Sequence, residues 1–288
     1  MPARAACSFL YFQTFKYFST MHYLVPIDFS DNSLKALDFA LALATSKVDR
    51  ITLLHVMETH YDFASQVEFF TKQQLQEGKR RGKELLASHG DSKITLMFKL
   101  VEGNPALQIT QLAAKQKIDL IVMGTKGASG ITKTLIGTVA VSVVREATCP
   151  VLVVPVAAVK TNLKQFVLGL EFADHEPPLL NWVATQIKKW KGHLQVVHVR
   201  STEKQQFKQE LLELGMKYHL NKKYPNLKPD FLALTGGKPT VALSAHMKSK
   251  AGILVMCHAQ QGFLDELFTK SDSIQMAFHA EVPLLVLR

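Results

Sequence analysis

The chain of 288 residues is poor in cysteine and tryptophan and carries no dense run of either charge. Its three cysteines, Cys7, Cys149 and Cys257, are far apart and odd in number. They lack metal-ligand spacing and cannot form a complete disulfide framework, which points to a reducing cytosol and idle thiols. No apolar run approaches the roughly 20 residues that span a bilayer, so a cytoplasmic chain with no membrane partner is expected. Also missing are the Gly-x4-Gly-Lys-[Ser/Thr] phosphate loop, a Ser–His–Asp order, zinc-ligand spacing and the kinase signatures. No catalytic residue and no metal ligand is therefore assigned.

The net charge of +10 is spread along the chain. Residues 1–158 hold 17 Lys/Arg against 13 Asp/Glu, and residues 159–288 hold 17 against 11. Without a basic stripe interleaved with aromatics, no nucleic-acid partner is expected. A mildly basic surface suits small anionic ligands. The length gives a prior of two domains of ~150 residues each.

Residues 1–20 combine Arg4, Lys16 and no acid with a cluster of aromatics, Phe9, Tyr11, Phe12, Phe15, Tyr17 and Phe18. Gln13, Thr14 and Lys16 interrupt the apolar region, so a signal peptide fits poorly. This segment is expected to be a disordered extension, or to precede the true start at Met21.

An internal repeat organises the rest. Segments around the first and second strands recur at an offset of 143 residues, and those from Val122/Val255 to Pro150/Pro283 at 133. About ten residues are therefore missing from the second copy between its second and fourth strands. Expected strands in the first copy cover 23–27, 51–56, 94–101, 119–123 and 151–154. Ser30 is read as a helix N-cap, and Leu34, Leu37, Ala40, Leu41 and Ala44 recur at helical spacing. A long polar helix is expected within 66–88, weakened by Gly78 and Gly82. Asn104-Pro105 opens another helix, and a further helix is expected over 135–147. In the second copy, strands are expected at 166–170, 194–199 and 284–287. Near-continuous apolar strands alternating with helices imply parallel sheets covered on both faces. The fold class is α/β, two tandem doubly wound five-stranded sheets. The expected domains are 21–158 and 159–288.

Ligands of such sheets sit at the carboxyl ends of the strands. There the first copy carries Asp28 after strand one, and Gly124-Thr-Lys-Gly127, nine residues, then Gly137-Thr138 after strand four. Glycines admit close backbone approach to phosphate, and a helix N-terminus favours an anion. The blander readings are a simple turn for the glycines, a turn or cap carboxylate for Asp28, and packed structural histidines for His55 and His198. In the second copy Cys257, Gln260 and Lys270 replace all three motif glycines, and Glu171 replaces Asp28.

The Gly-x2-Gly-x9-Gly-[Ser/Thr] pattern, with Val25-Pro26-Ile27-Asp28 and Leu53-Leu-His55-Val56, resembles the universal stress protein family, in a tandem form. The resemblance implies an adenine nucleotide, ATP with or without Mg2+, bound in the first copy. It implies Pro26 and Asp28 at the base and ribose, and Val56 against the base. Met123, Gly124, Gly127, Gly137, Thr138 and Val139 would surround ribose and phosphates, with Lys126 and Lys133 as further phosphate contacts. No ligand is expected in the second copy. The resemblance also implies pairing of the domains through their closing strands, an intramolecular pseudo-dimer that could dimerise further. The expected role is a stress-response regulator. The rivals are a nucleotide-free dimerising scaffold, and a slow ATPase or adenylating enzyme of the wider superfamily, whose Ser-Gly-Gly loop after strand one is absent here.

Overall fold

A computed structural model describes residues 20–58, 64–125, 137–158, 161–170, 176–200, 206–235, 239–248, 250–257 and 282–288. In the first half, strands β1 (His22–Pro26), β2 (Arg50–Met57), β3 (Thr95–Glu102), β4 (Leu120–Gly124) and β5 (Val151–Val154) alternate with helices α1 (Asp31–Leu43), α2 (Ala64–Ser88), α3 (Pro105–Gln116) and α4 (Thr138–Glu146). The second half has β6 (Gln165–Leu170), α5 (Glu176–Lys189), β7 (His193–Arg200), α6 (Gln206–Lys223), β8 (Asp230–Thr235), α7 (Pro239–Lys248), β9 (Ile253–Cys257) and β10 (Leu284–Leu287). Each half forms a five-stranded parallel sheet. The two join into one sheet of order β3-β2-β1-β4-β5-β10-β9-β6-β7-β8, in which β5 and β10 run antiparallel.

The local sequence explains the elements that frame the cleft. Ser30 caps α1 by accepting from the Ser33 N–H at 3.3 Å, and Ala36, Leu37, Ala40 and Leu43 turn inward. Asn104 caps α3 by accepting from the Leu107 N–H at 3.1 Å, with Pro105 in the first turn. The helix expected over 135–147 begins at Thr138, and Leu135 and Ile136 lie outside the described residues.

The repeat offsets hold in the hydrogen-bonding registers. Tyr23 aligns with Leu120 and Leu24 with Ile121; in the second half Phe166 aligns with Ile253 and Val167 with Leu254. The His55 Nδ1–H donates to the Ile27 carbonyl at 2.7 Å, and the His198 Nδ1–H donates to the Leu170 carbonyl at 2.9 Å. Both histidines therefore lock the second strand of their half to the end of the first. Arg50 aligns with Thr95, whereas Gln195 aligns with Asp230. The offset has thus already changed to 133 at the third strand, which places the shortening around α6.

Gly78 and Gly82 are more than weak points in α2. They stand one turn apart on the face that meets the sheet. A Cβ at Gly78 would lie 2.6 Å from Leu100 Cδ1, and one at Gly82 would fall onto the Phe98 ring. Their bareness sets how closely the helix lies on β2 and β3.

Two apolar layers cover the sheet, and each draws on both halves. On one face the Trp190 ring stacks on Phe166 at 5.5 Å, and its Nε1–H donates to Tyr23 Oη at 3.4 Å. Beside it, the fully buried Asp49 accepts from Lys189 Nζ at 2.8 Å and from the Met21 N–H at 2.8 Å. Cys149 and Cys257 are both buried, and burial pushes the Cys149 thiol up to about 12.

Two predictions follow from this packing. Gly82→Ala should lower stability by about 1 kcal/mol, because overpacking against Phe98 outweighs the ~1 kcal/mol that alanine ordinarily gains in a helix. Urea denaturation would measure it, and Phe98→Leu should recover the loss. His22, 5% exposed, is pushed down to about 4 by burial, then by Arg50 and Lys99. A depressed histidine favours the neutral form in the fold, so its stabilisation is complete above about pH 6.5 and falls as the pH drops toward 4. Between pH 7 and 5 the wild type should lose about 2 kcal/mol more than His22→Gln, read from denaturation curves at the two pH values.

Candidate functional site

The carboxyl ends of β1 and β4 lie side by side at the point where the strand order reverses, and a cavity of about 370 Å³ opens there. Pro26 and Asp28 reach it from the end of β1, Val56 from β2, and Met123 and Gly124 from β4. Gly137, Thr138 and Val139 reach it from the start of α4. These eight positions, far apart in sequence, share one cleft. Gly127, Lys126 and Lys133 lie outside the described residues, as do Glu171, Gln260 and Lys270.

The cleft is apolar at its base and polar at its rim. Leu54, Ile109, Met123 and Ala140 are buried in its wall. Asp28 Oδ1 accepts from the Ser30 N–H at 3.0 Å and from Ser30 Oγ at 2.6 Å. The Asp28 carboxylate is thus held at the mouth by the residue that caps α1. Asp28 therefore makes a turn-type contact with Ser30 and also lines the cleft.

Thr125 closes the neck of the segment between β4 and α4. Its N–H donates to the Val154 carbonyl at 3.1 Å, and its carbonyl accepts from the Gly137 N–H at 2.6 Å. This brings the start of α4 against the end of β4. Gly137 is the N-cap of α4 and supplies no side-chain bond, whereas α1 and α3 are capped by Ser30 and Asn104. The first turn of α4 thus lines the cleft with no capping side chain among the described residues, an arrangement that suits an anion.

Gly124 serves a purpose the motif does not reveal. A Cβ there would lie 2.6 Å from Asn32 Nδ2 and 3.1 Å from the Asn32 carbonyl oxygen. The glycine makes room for α1, whose Asn32 amide donates to Thr125 Oγ1 at 3.4 Å. Cys257 ends β9 at the matching position and is buried.

Other residues at the site carry no motif signal. Ser33, Glu58, Pro105 and Thr125 line the cavity. A second groove of about 790 Å³ shares Asp28, Val56 and Glu58 with it and continues over Phe29, His55 and Arg81 toward α2. Phe29 adopts φ 62°, and the Arg81 guanidinium lies 4.4 Å from its ring centre. Among the described residues no group of three or more His, Cys, Asp or Glu could hold a metal ion, and no helix is long and apolar enough to cross a membrane.

A family model described as the universal stress protein family matches residues 20–155. A universal stress protein of Methanocaldococcus jannaschii is 33% identical over 141 residues, which span 46% of this chain and 79% of the relative. The universal stress protein YxiE of Bacillus subtilis is 34% identical over 145 residues, spanning 46% of this chain and 96% of its own. Among solved structures, a universal stress protein from Archaeoglobus fulgidus aligns over 94% of this chain and 99% of its own, with a TM-score of 0.71 at 19% identity. That last likeness concerns the fold, and it extends through both halves of the chain. With curated relatives above 30% identity matched over most of their own length, the chain belongs to the universal stress protein family.

Proposed function

We propose that this chain is a cytoplasmic stress-response regulator that binds an adenine nucleotide, ATP, in the cleft of its first half. The observation that carries the reading is the convergence of Pro26, Asp28, Val56, Met123, Gly124, Gly137, Thr138 and Val139 on one cavity at the strand-order switch. Its volume lies in the range of small-ligand sites. Pro26, Asp28 and Val56 would hold the base and ribose, with the Asp28 carboxylate accepting from a hydroxyl or an amine. Gly124, Thr138 and Val139 would take the ribose and phosphates, with the exposed N–H groups of α4 facing the anion. Gly127, Lys126 and Lys133 belong to the same site on the sequence pattern. A magnesium ion would arrive with the phosphates.

A binding role is favoured over hydrolysis because two candidate proton carriers, His55 and Ser30, are engaged in the fold. His55 Nδ1 is bonded to the Ile27 carbonyl, and Ser30 both caps α1 and bonds Asp28. We further read the chain as a tandem of two units, 21–158 and 159–288, paired through β5 and β10 as an intramolecular pseudo-dimer. The second unit would bind no such nucleotide, since Cys257, Gln260 and Lys270 stand where the three motif glycines stand in the first. A homodimer would need another surface, because both closing strands are already paired.

Titration calorimetry on the full chain tests this reading. One ATP should bind per chain, and Asp28→Ala should weaken it roughly ten- to a hundredfold through the loss of charge-assisted hydrogen bonds worth ~1.5–3 kcal/mol. Two equivalent sites, or unchanged affinity in a folded variant, would overturn it. Gly124→Ala separates the glycine's structural part from its ligand part. It should destabilise the apo protein by about 1–3 kcal/mol through Asn32, and Asn32→Ala in the same chain should restore part of the loss.

A further inference from the structure

Helix α6 is apolar on two opposite faces. Met216 and Leu220 turn toward the sheet, with Leu220 wholly buried. Leu211, Leu214 and Tyr218 stand on the other side, 54%, 66% and 66% exposed. At 100° per residue these three project within one narrow stripe, about opposite the buried face. Single exposed leucines are ordinary, but an aligned stripe calls for a partner.

The fold does not require this stripe. Helix α2 holds the same place in the first half, and its described outer face carries Glu77, Arg80 and Glu84, joined as ion pairs. No large hydrophobic side chain is exposed on the described part of α2.

The charge beside the stripe is positive. The two acids of α6 are drawn to Arg200, which donates to Glu213 at 2.8 and 3.0 Å and to Glu210 at 3.4 Å. Of the lysines of α6, Lys217, Lys222 and Lys223 lie with their ammonium groups 5.9, 5.5 and 5.9 Å from the rings of Phe231, Tyr218 and Tyr224. Their stems run along apolar surface while their heads stay at its margin. The result is an apolar stripe on the outer face of α6 with Lys222 continuing it and Lys217 and Lys223 beside it, on a chain of net charge +10. A second copy would bring like charge against it, and a nucleic acid would leave the stripe unmatched. An anionic bilayer surface matches both features, since headgroups meet the lysines and the headgroup–acyl boundary receives the apolar side chains.

We propose that the outward face of α6 docks this protein peripherally on an anionic lipid surface, through Leu211, Leu214 and Tyr218 with Lys217, Lys222 and Lys223. No membrane-spanning helix is needed for such contact. The test is co-sedimentation of the full chain with vesicles of phosphatidylcholine alone, or of phosphatidylcholine mixed with phosphatidylserine, at low and physiological salt. Binding should be at least about tenfold tighter to the anionic vesicles and should weaken with salt. The double variant Leu214→Ser/Tyr218→Ser should lose most of it with an unchanged melting temperature, because both side chains are mainly exposed. Lys217→Glu/Lys222→Glu should lose it as well. The proposal falls if the wild type shows no preference for anionic vesicles, or if the apolar double variant binds like the parent. It falls too if sedimentation equilibrium finds a dimer that the apolar double variant dissolves, since a second copy would then cover the stripe.

Discussion

The antiparallel pairing of β5 with β10 is the contact on which the rest of the molecule depends. Leu284, Leu285 and Val286 face Val153, Leu152 and Val151 across it, and both strands are buried along their whole length. Left open, each would be a flat apolar edge with unpaired backbone groups, a template for aggregation. Paired, they make one sheet from two and let each apolar layer run across the junction. The consequence reaches the cleft in two steps. β5 aligns β4 through Val151 and Ile121, and the Val154 carbonyl then receives the Thr125 N–H. Thr125 in turn holds Gly137, so the position of the α4 N-terminus is tied to the centre of the sheet.

The junction is also secured asymmetrically. Lys189 and Trp190 reach from the second half to Asp49 and Tyr23 in the first, at the end of the sheet away from the cleft. On the other face Arg288 Nη2 donates to the Val144 carbonyl at 3.3 Å. A buried ion pair contributes little net stability, because desolvation opposes the attraction, but losing one partner strands the other charge. Asp49 also accepts from the Met21 and Ser46 N–H groups, so the carboxylate orders the entry to β1 as well as the contact between halves.

Much of this was legible in the sequence because the repeat and the strand–turn–helix order are one-dimensional signals. The two offsets anticipate the strand registers, and His55 and His198 mark the same bond in each half. The convergence of Asp28, Gly124 and Gly137 follows from the rule that ligands sit where strand order reverses. What the sequence concealed depends on neighbours distant along the chain. Gly124 reads as a phosphate glycine, yet its missing Cβ clears Asn32, 92 residues earlier. Gly78 and Gly82 read as helix breakers, yet they accommodate Leu100 and the Phe98 ring of β3. Glu58 and Thr125 line the cavity as ordinary residues flanking β2 and β4, with no spacing to betray them. The apolar outer face of α6 gives no clear signal because Leu211, Leu212 and Leu214 crowd into one turn just before the inward Met216 and Leu220, so the two stripes blur into one hydrophobic run.

Phe29 shows how the cleft and α2 are mechanically joined. Its φ of 62° is a conformation that costs a non-glycine residue roughly 1–3 kcal/mol. The strain is explained by what stands on either side. Asp28 must turn its carboxylate back to the Ser30 N–H and hydroxyl, so the chain reverses within two residues. The Phe29 ring is thereby carried onto His55 at 4.8 Å and beneath the Arg81 guanidinium. Stacking of that cation is worth about 0.5–1 kcal/mol at an exposed site, which offsets part of the strain. The turn that follows β1 is thus packed through one aromatic ring against β2 and α2.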